Sequence, residues 1–319
     1  MGLDRDSNAR NCAVFPHKTI RQVQTHQLEP FVALSLIRSG IDLAALSHQD
    51  SSRCQVLSQQ EGWPHTLGDW ELQLTQSISI GAFYNHELIG TALIWHCDDN
   101  SLATIGMVIV ARDFRRQGIA KRMLSKLMNE STAKAFSLIA TPAGLELYQR
   151  LGFNTVGYIS QYQGNLNAQD PQSGVSTLQE MSLEDFCEFD LRATGIPRAK
   201  ILESFADTSK ILVLHKNNKP IAAGMVRKTG INLVVGPLIS ASDKALIEWW
   251  QQLPHFANGF IRSDLYCSNL TKEAAHALDN SGLREVYQGV LMHKGKYPPI
   301  ERNKNTELTT YAAISQALG

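Results

Sequence analysis

Between Val108 and Leu124 the chain reads Val-Ile-Val-Ala-Arg-Asp-Phe-Arg-Arg-Gln-Gly-Ile-Ala-Lys-Arg-Met-Leu. A β-branched run ends in an Arg-x-x-Gly-x-Ala turn that opens a basic helix. That pattern suits a pyrophosphate, because a helix start leaves backbone N–H groups without partners and carries partial positive charge. Gly118 has no Cβ and Ala120 a small one, so an anion can approach the backbone closely. The spacing differs from Gly-x-x-x-x-Gly-Lys-Ser/Thr and from Gly-x-Gly-x-x-Gly, which argues against an ATP loop or a dinucleotide fingerprint.

Downstream, Ser137 to Ala140 reads as a short strand, and Thr141 to Phe153 as a short helix closing on a glycine, with Thr141-Pro142 as its N-cap and first position. Its end is Leu147-Tyr148-Gln149-Arg150-Leu151-Gly152-Phe153. The Arg115-Arg116-Gln117-Gly118-Ile119-Ala120 turn, followed by this segment, resembles the two signatures of the GCN5-related N-acetyltransferase (GNAT) family, Gln/Arg-x-x-Gly-x-Gly/Ala and Leu-Tyr-x-x-x-Gly-Phe.

The resemblance implies acetyl-CoA as cosubstrate and no metal. Main-chain groups of Val108 and Val110 would pair with the pantetheine arm, and an N–H near Ile109 would face the thioester carbonyl. Arg115 and the amides of Arg116, Gln117, Gly118, Ile119 and Ala120 would hold the pyrophosphate. Lys121, Arg122 and Lys126 either meet the remaining phosphate or form a solvated helix face. Tyr148 takes the place of the family's general acid, since a tyrosine hydroxyl beside the sulfur can donate a proton in a water-poor site; the alternative is a tyrosine that packs on the helix and only hydrogen-bonds the sulfur. Thr141 stands where many members carry a cofactor-contacting asparagine.

No acidic residue lies between Leu102 and Val110, where many members carry a glutamate base, so either water relays the proton or the base lies elsewhere. Glu61-Gly62-Trp63-Pro64-His65-Thr66-Leu67-Gly68-Asp69-Trp70 offers His65 and Asp69 as substitutes, beside two indoles that could attract a cation. The alternative is a Pro/Gly turn whose tryptophans plug the core. His96 and Asp98 are further candidates. In the second half Tyr266, His276, Trp249 and Trp250 could complete an acceptor pocket, although the tryptophan pair reads first as core packing.

Helices before Trp70, strands over 78–84, 88–97 and 102–110, a helix over 118–133 and a strand over 155–162 describe an α/β (α+β) domain with a mixed, mostly antiparallel sheet flanked by helices. The polar stretch Gly164 to Thr177 reads as a linker, dividing the chain at residues 1–165 and 166–319. The second half repeats the first: Asn85 to Gly90 aligns with Asn217 to Ala222, Leu151 to Val156 with Ser281 to Val286, and Gln163-Gly164 with Lys294-Gly295. The cofactor turn is not repeated, since Gly236-Pro237-Leu238-Ile239-Ser240 lacks its arginine and glycine spacing. Only the first half is expected to bind the cofactor, in a tandem pair whose second GNAT-like domain is degenerate.

At 319 residues, with 43% hydrophobic and 19% charged side chains, the chain fits a soluble two-domain protein. Its 30 basic and 30 acidic residues cancel, so no global field recruits nucleic acid or an anionic membrane. Five scattered cysteines argue for a reducing compartment and against a zinc site. No run reaches the roughly 20 apolar residues a bilayer span needs. The expectation is a cytoplasmic acetyltransferase, monomeric or homodimeric, acting on a small-molecule amine. The alternatives are a non-catalytic acyl-CoA sensor, or an acyltransferase with another donor or acceptor.

Overall fold

The computed structural model describes residues 40–166, 177–229, 232–257, 259–296 and 307–318. Contacts divide the chain into Met1–Gly40 and Ile41–Gly319, and everything below concerns the second unit. Most of the expected linker, 167–176, lies outside the described residues.

The first half runs β1 (Ile41–Ala45), α1 (Ser51–Gln60), α2 (Leu67–Gln76), β2 (Ile78–Tyr84), β3 (Glu87–His96), β4 (Ala103–Val110), α3 (Ile119–Glu130), β5 (Ala135–Ala140), α4 (Leu145–Arg150) and β6 (Asn154–Asn165). The second half follows the same order: β7 (Gln179–Glu180), α5 (Leu183–Thr194), α6 (Ala199–Glu203), β8 (Ser209–Lys216), β9 (Lys219–Thr229), β10 (Asn232–Ser240), α7 (Asp243–Gln252), β11 (Phe260–Tyr266), α8 (Lys272–Asn280) and β12 (Arg284–Gly295). A last strand, β13 (Thr309–Ala312), has no counterpart among the described residues of the first half.

The repeat read from the sequence is therefore real, and its turns share their backbone chemistry. Asn85 and His86 both have positive φ, 48° and 67°, as do Asn217 and Asn218, 51° and 59°. Such pairs make a two-residue hairpin whose twist matches its strands. The left-handed glycines Gly152 and Gly282 follow the short helices α4 and α8 in the same way. Two expectations change. A strand, β1, precedes the first helices, and α4 starts at Leu145 rather than at Pro142. Thr141 instead opens a turn closed by the Gly144 N–H on its carbonyl at 2.9 Å.

The 13 strands among the described residues form one sheet in the order β1-β2-β3-β4-β5-β12-β6-β11-β13-β10-β9-β8-β7. Its centre is an exchange: β12 lies between β5 and β6, while β6 lies between β12 and β11, all antiparallel. Each half thus completes its sheet with the last repeat strand of the other. Both strands are covered on both faces at the centre, where Ile159, Ser160, Gln161 and Tyr162 of β6 and Leu291, Met292 and His293 of β12 are all buried.

An apolar core on one face joins Trp70 and Leu74 of α2 with Phe186 and Phe189 of α5, so it too belongs to both halves. At the junction Arg198 and Asp190 form a buried pair at 2.8 Å, and Asp98 of the first half accepts the N–H of Ala199 at 2.8 Å.

A chain of residues 41–165 alone would expose the inner edges of β5 and β6, which β12 covers. It is expected to give no cooperative unfolding transition as a monomer by circular dichroism and ultracentrifugation. A stable monomer with native strand content would refute the dependence of the first half on β12.

Candidate active site

β4 and β5 are parallel neighbours, yet they pair only at Ala103–Phe136 and Thr104–Ser137. Beyond Thr104 they splay, and among the described residues no strand pairs with their facing edges. A bulge in β4 accompanies the splay: the register steps from Thr91–Ile109 to Leu93–Gly106, and Met107 has φ +51°. The Thr91 hydroxyl donates to the Met107 carbonyl at 2.8 Å, satisfying a group the bulge takes from the ladder. Ile109 is paired with Thr91, and the Ala111 N–H donates to Ile89 of β3. Backbone direction alternates along a strand, so the amides turned to the open edge are those of Val108 and Val110.

The strand ends at the Arg-x-x-Gly-x-Ala turn. Arg116 and Gly118 both have positive φ, 63° and 81°, and Gly118 is the N-cap of α3. No side chain caps this helix, whereas Thr66, Ser182, Ser242 and Thr271 cap α2, α5, α7 and α8. Space beside Gly118 is open for at least 4 Å around the position a Cβ would take. Unpaired N–H groups, a positive helix end and clear space meet at one point, and these are the features a pyrophosphate requires.

The side chain of Arg115 is committed elsewhere, to the Val110 carbonyl at 2.8 Å and to Glu61 at 2.5 Å. Its contribution to an anion therefore comes through the backbone and through the turn it holds. The Arg115 and Arg112 guanidiniums keep Glu61 below the usual carboxylate range. On α3, Arg122 donates to the Ile41 carbonyl at 3.0 Å and Lys126 pairs with Glu130, while Lys121 stands exposed.

Tyr148 sits on α4 with its ring edge-on to Phe153 at 6.0 Å between centroids. Burial pushes its hydroxyl pKa up, so the group stays protonated throughout the working range. Thr141 is exposed in the turn before α4.

His65 lies between Trp63 and Trp70, with centroid distances of 5.9 and 6.2 Å. Burial pushes it down to about 4, against the pull of Asp69 and together with the nearby Arg262 charge. This takes the imidazole out of the useful titration range that made it a candidate from sequence, and its Nδ1 is buried without a partner among the described residues. Asp69 caps α2: its Oδ2 accepts the N–H and hydroxyl of Thr66, each at 2.7 Å. His96 contacts Ser131 at 2.7 Å, and Asp98 caps the start of α6. Trp249 and Trp250 are core residues as expected, Tyr266 is buried with a hydroxyl that has no partner among the described residues, and His276 is exposed on α8.

The second half shows why the chemistry is not duplicated. β10 and β11 start parallel at Leu233–Ile261 and then splay, but β13 fills the gap, pairing with β10 at Leu238, Ile239 and Ser240 and with β11 at Leu265. The equivalent helix start is closed by Ser242, which accepts from the Ala245 N–H at 3.2 Å, and by Tyr311 of β13, which donates to Asp243 at 2.5 Å. The sequence attributed the loss to the missing arginine and glycine; the structure adds a strand lying where a ligand would lie.

The residues sequence reasoning missed are in the segment after β13. The Gln316 N–H donates to Asp264 at 2.9 Å, and its Oε1 accepts from Arg262 at 3.2 Å and Gln161 at 3.5 Å. The only signal was Gly106 and Gly289 inside strands, which marks close approach of another backbone or side chain.

A family model described as acetyltransferase (GNAT) family matches residues 46–153, and a second, acetyltransferase (GNAT) domain, matches 186–306. The chain belongs to the GNAT acetyltransferase family, with two GNAT domains in tandem. It is 26% identical over 290 residues to YitH of Bacillus subtilis (strain 168), an N-acetyltransferase that is itself uncharacterized, covering 87% of this chain and 98% of YitH. It is 23% identical to the holothin acyltransferase of Pseudoalteromonas sp. (strain SANK 73390), covering 76% of this chain and 84% of that protein. A Pyrococcus horikoshii protein assigned to the acetyltransferases shares the fold, with TM-score 0.72 at 17% identity over 88% of this chain and 96% of its own.

The depressed pKa of His65 predicts a pH dependence. Between the unfolded value of 6.5 and about 4 the unfolded chain holds the proton and the folded one does not, so stability falls as pH drops through that window. At roughly 1.4 kcal/mol per unit the contribution is about 3 kcal/mol. His65→Gln should therefore change its stability difference from the parent by about that amount between pH 7 and pH 4 in urea titrations; a difference independent of pH would refute it.

Proposed function

We propose that the first domain, residues 1–165, binds acetyl-CoA and transfers its acetyl group to an amine of a small-molecule acceptor, the second domain, 166–319, completing the sheet and the acceptor side. The observation that carries this reading is the β4–β5 splay running up to an uncapped, glycine-initiated helix. These residues fit the cofactor: amides from Arg116 to Lys121 for the pyrophosphate, and those of Val108 and Val110 for the arm. Bound there, acetyl-CoA supplies an acyl group already activated as a thioester.

The chain's own part is then positional and protic. Open-edge N–H groups of β4 beside the Met107 bulge are fixed dipoles that stabilise negative charge developing on a carbonyl oxygen. Tyr148 Oη carries the proton for the leaving sulfur. The acceptor amine must arrive neutral. With no carboxylate on β4, Asp69 spent on a helix cap and His65 weakly basic, water relays its proton to the bulk. The same shortage of a base favours the sensor as a second reading.

Among the described residues no helix is long and apolar enough to cross a membrane, and no three His, Cys, Asp or Glu side chains gather as a metal set. We propose a small amine as the partner and the cytoplasm as the setting, with the chain as monomer or homodimer.

Gly118→Glu is expected to weaken coenzyme A binding at least 50-fold by calorimetry, because a carboxylate would occupy the anion position. Gly118→Ala, which carries only the left-handed backbone strain of roughly 1–2 kcal/mol, should lose less than ten-fold. Equal affinity in the Glu variant would place the cofactor elsewhere.

Tyr148→Phe should lower kcat about 100-fold with unchanged cofactor affinity. The assay is release of free thiol across amino acids, polyamines, aminoglycosides and short peptides. Undiminished turnover would remove Tyr148 as the acid, and saturable binding without release for any amine would favour the sensor.

A further inference from the structure

The segment 313–318 crosses the closed end of the β4–β5 cleft. A Cβ on Gly106 would collide with the Ala317 carbonyl and lie 3.0 Å from Trp95 Cζ3. One on Gly289 of β12 would lie 2.5 Å from Ile139 Cγ2 and 3.2 Å from Gln316 Nε2. Gly106 and Ile139 each stand two residues past the last β4–β5 pair, Thr104–Ser137. Ala317 therefore covers one face of β4 where the two strands begin to part, and Gln316 runs over β5 toward β12, its amide held by Gln161 and Arg262.

The crossing is fixed rather than loose. Arg227, buried and stacked on Phe205 at 4.6 Å, donates to the carbonyls of Gly236 and Ile314. Asp264, buried, accepts from Gln161, Arg262 and the Gln316 N–H. Ile314 and Leu318 are anchored in the core.

The proposed site dictates what meets this segment. With the pyrophosphate at Gly118 and the arm along Val110 and Val108, the thioester end reaches the bulge at Met107. The next position toward the closed end is Gly106, about 3.3 Å further along the strand. The Ala317 carbonyl covers the face of the sheet at that position.

We infer that Gln316 and Ala317, with Trp95 and Ile139, form an end wall that restricts the donor to a short acyl group of two or three carbons. This rests on the reading above of the β4–β5 cleft as the acyl-CoA site. It assigns the segment 313–318 a part in donor selection and makes Gln316 a specificity-determining residue. The polar edge of the wall, the Gln316 amide, would strip water from a longer chain without giving it apolar contacts.

The test is calorimetric affinity for coenzyme A, acetyl-, propionyl-, butyryl- and hexanoyl-CoA with the full chain, a readout that needs no acceptor and no turnover. Acetyl- and propionyl-CoA should bind at least as tightly as coenzyme A, and hexanoyl-CoA at least ten-fold more weakly. Without a wall, each added methylene finding an apolar place would tighten binding about four-fold, the opposite trend.

Gln316→Ala, or Ile139→Ala should the first variant unfold, should recover hexanoyl-CoA affinity at least ten-fold and leave that for coenzyme A within two-fold. Equal or rising affinity along the series in the parent protein would overturn the inference alone. So would a folded variant with native coenzyme A affinity and no recovery. Absence of binding for every compound would overturn the cofactor site and the wall with it.

Discussion

The structure depends on the reciprocal exchange of β6 and β12. Each is a 12-residue strand lying between two neighbours at the centre of the sheet. A central strand satisfies its backbone on both sides, so withdrawing either would leave unpaired N–H and C=O groups in both halves at once. The exchange thereby joins two repeats in one continuous sheet. It also fixes which residues meet across the junction: Gln161 stands opposite Asp264, and Gly289 opposite Ile159, because antiparallel register leaves no freedom once the strands are aligned.

That constraint explains how two copies of one fold acquire different roles. Both halves bulge the strand at the splay, between Thr91 and Leu93 against β4 and between Val235 and Leu238 within β10. In the second, the open edges are spanned by β13 and the helix start is capped by Ser242. The backbone groups that a cofactor would satisfy in the first half are satisfied internally in the second. The gap is a property of the fold, and what fills it is a property of the particular half.

Much of this was legible in the sequence wherever a local rule sufficed. The Arg115–Ala120 turn, the Leu147–Phe153 segment, the paired Asn turns and the glycines after α4 and α8 all have short-range causes, and each was readable. The start of α4 was misjudged because Thr141-Pro142 is an equally good turn opener. β1, only five residues long, has too short an alternation to stand out. The exchange was invisible, since β6 and β12 have the same pattern whichever neighbour they pair with. The surroundings of the candidate base were not legible: Asp69 and His65 have the right types, but a capping box and burial between indoles are facts of packing that spacing does not encode.

The polar cluster beneath 313–318 is costly by ordinary accounting, since charged groups are taken from water to make it. Here the cost is contained because Asp264 has three partners: the Arg262 guanidinium at 3.0 Å, the Gln161 amide at 3.1 Å and the Gln316 N–H at 2.9 Å. An apolar cluster of equal volume would pack as well, but it would let the segment slide, because dispersion contacts are not directional. Directional partners on β6 and β11 instead set 313–318 in one register against Gly106 and Gly289. Two glycines in strand interiors, unfavourable by intrinsic preference, are the complement of that register, and they let a main-chain carbonyl and a side-chain amide approach the sheet more closely than any other residue would allow.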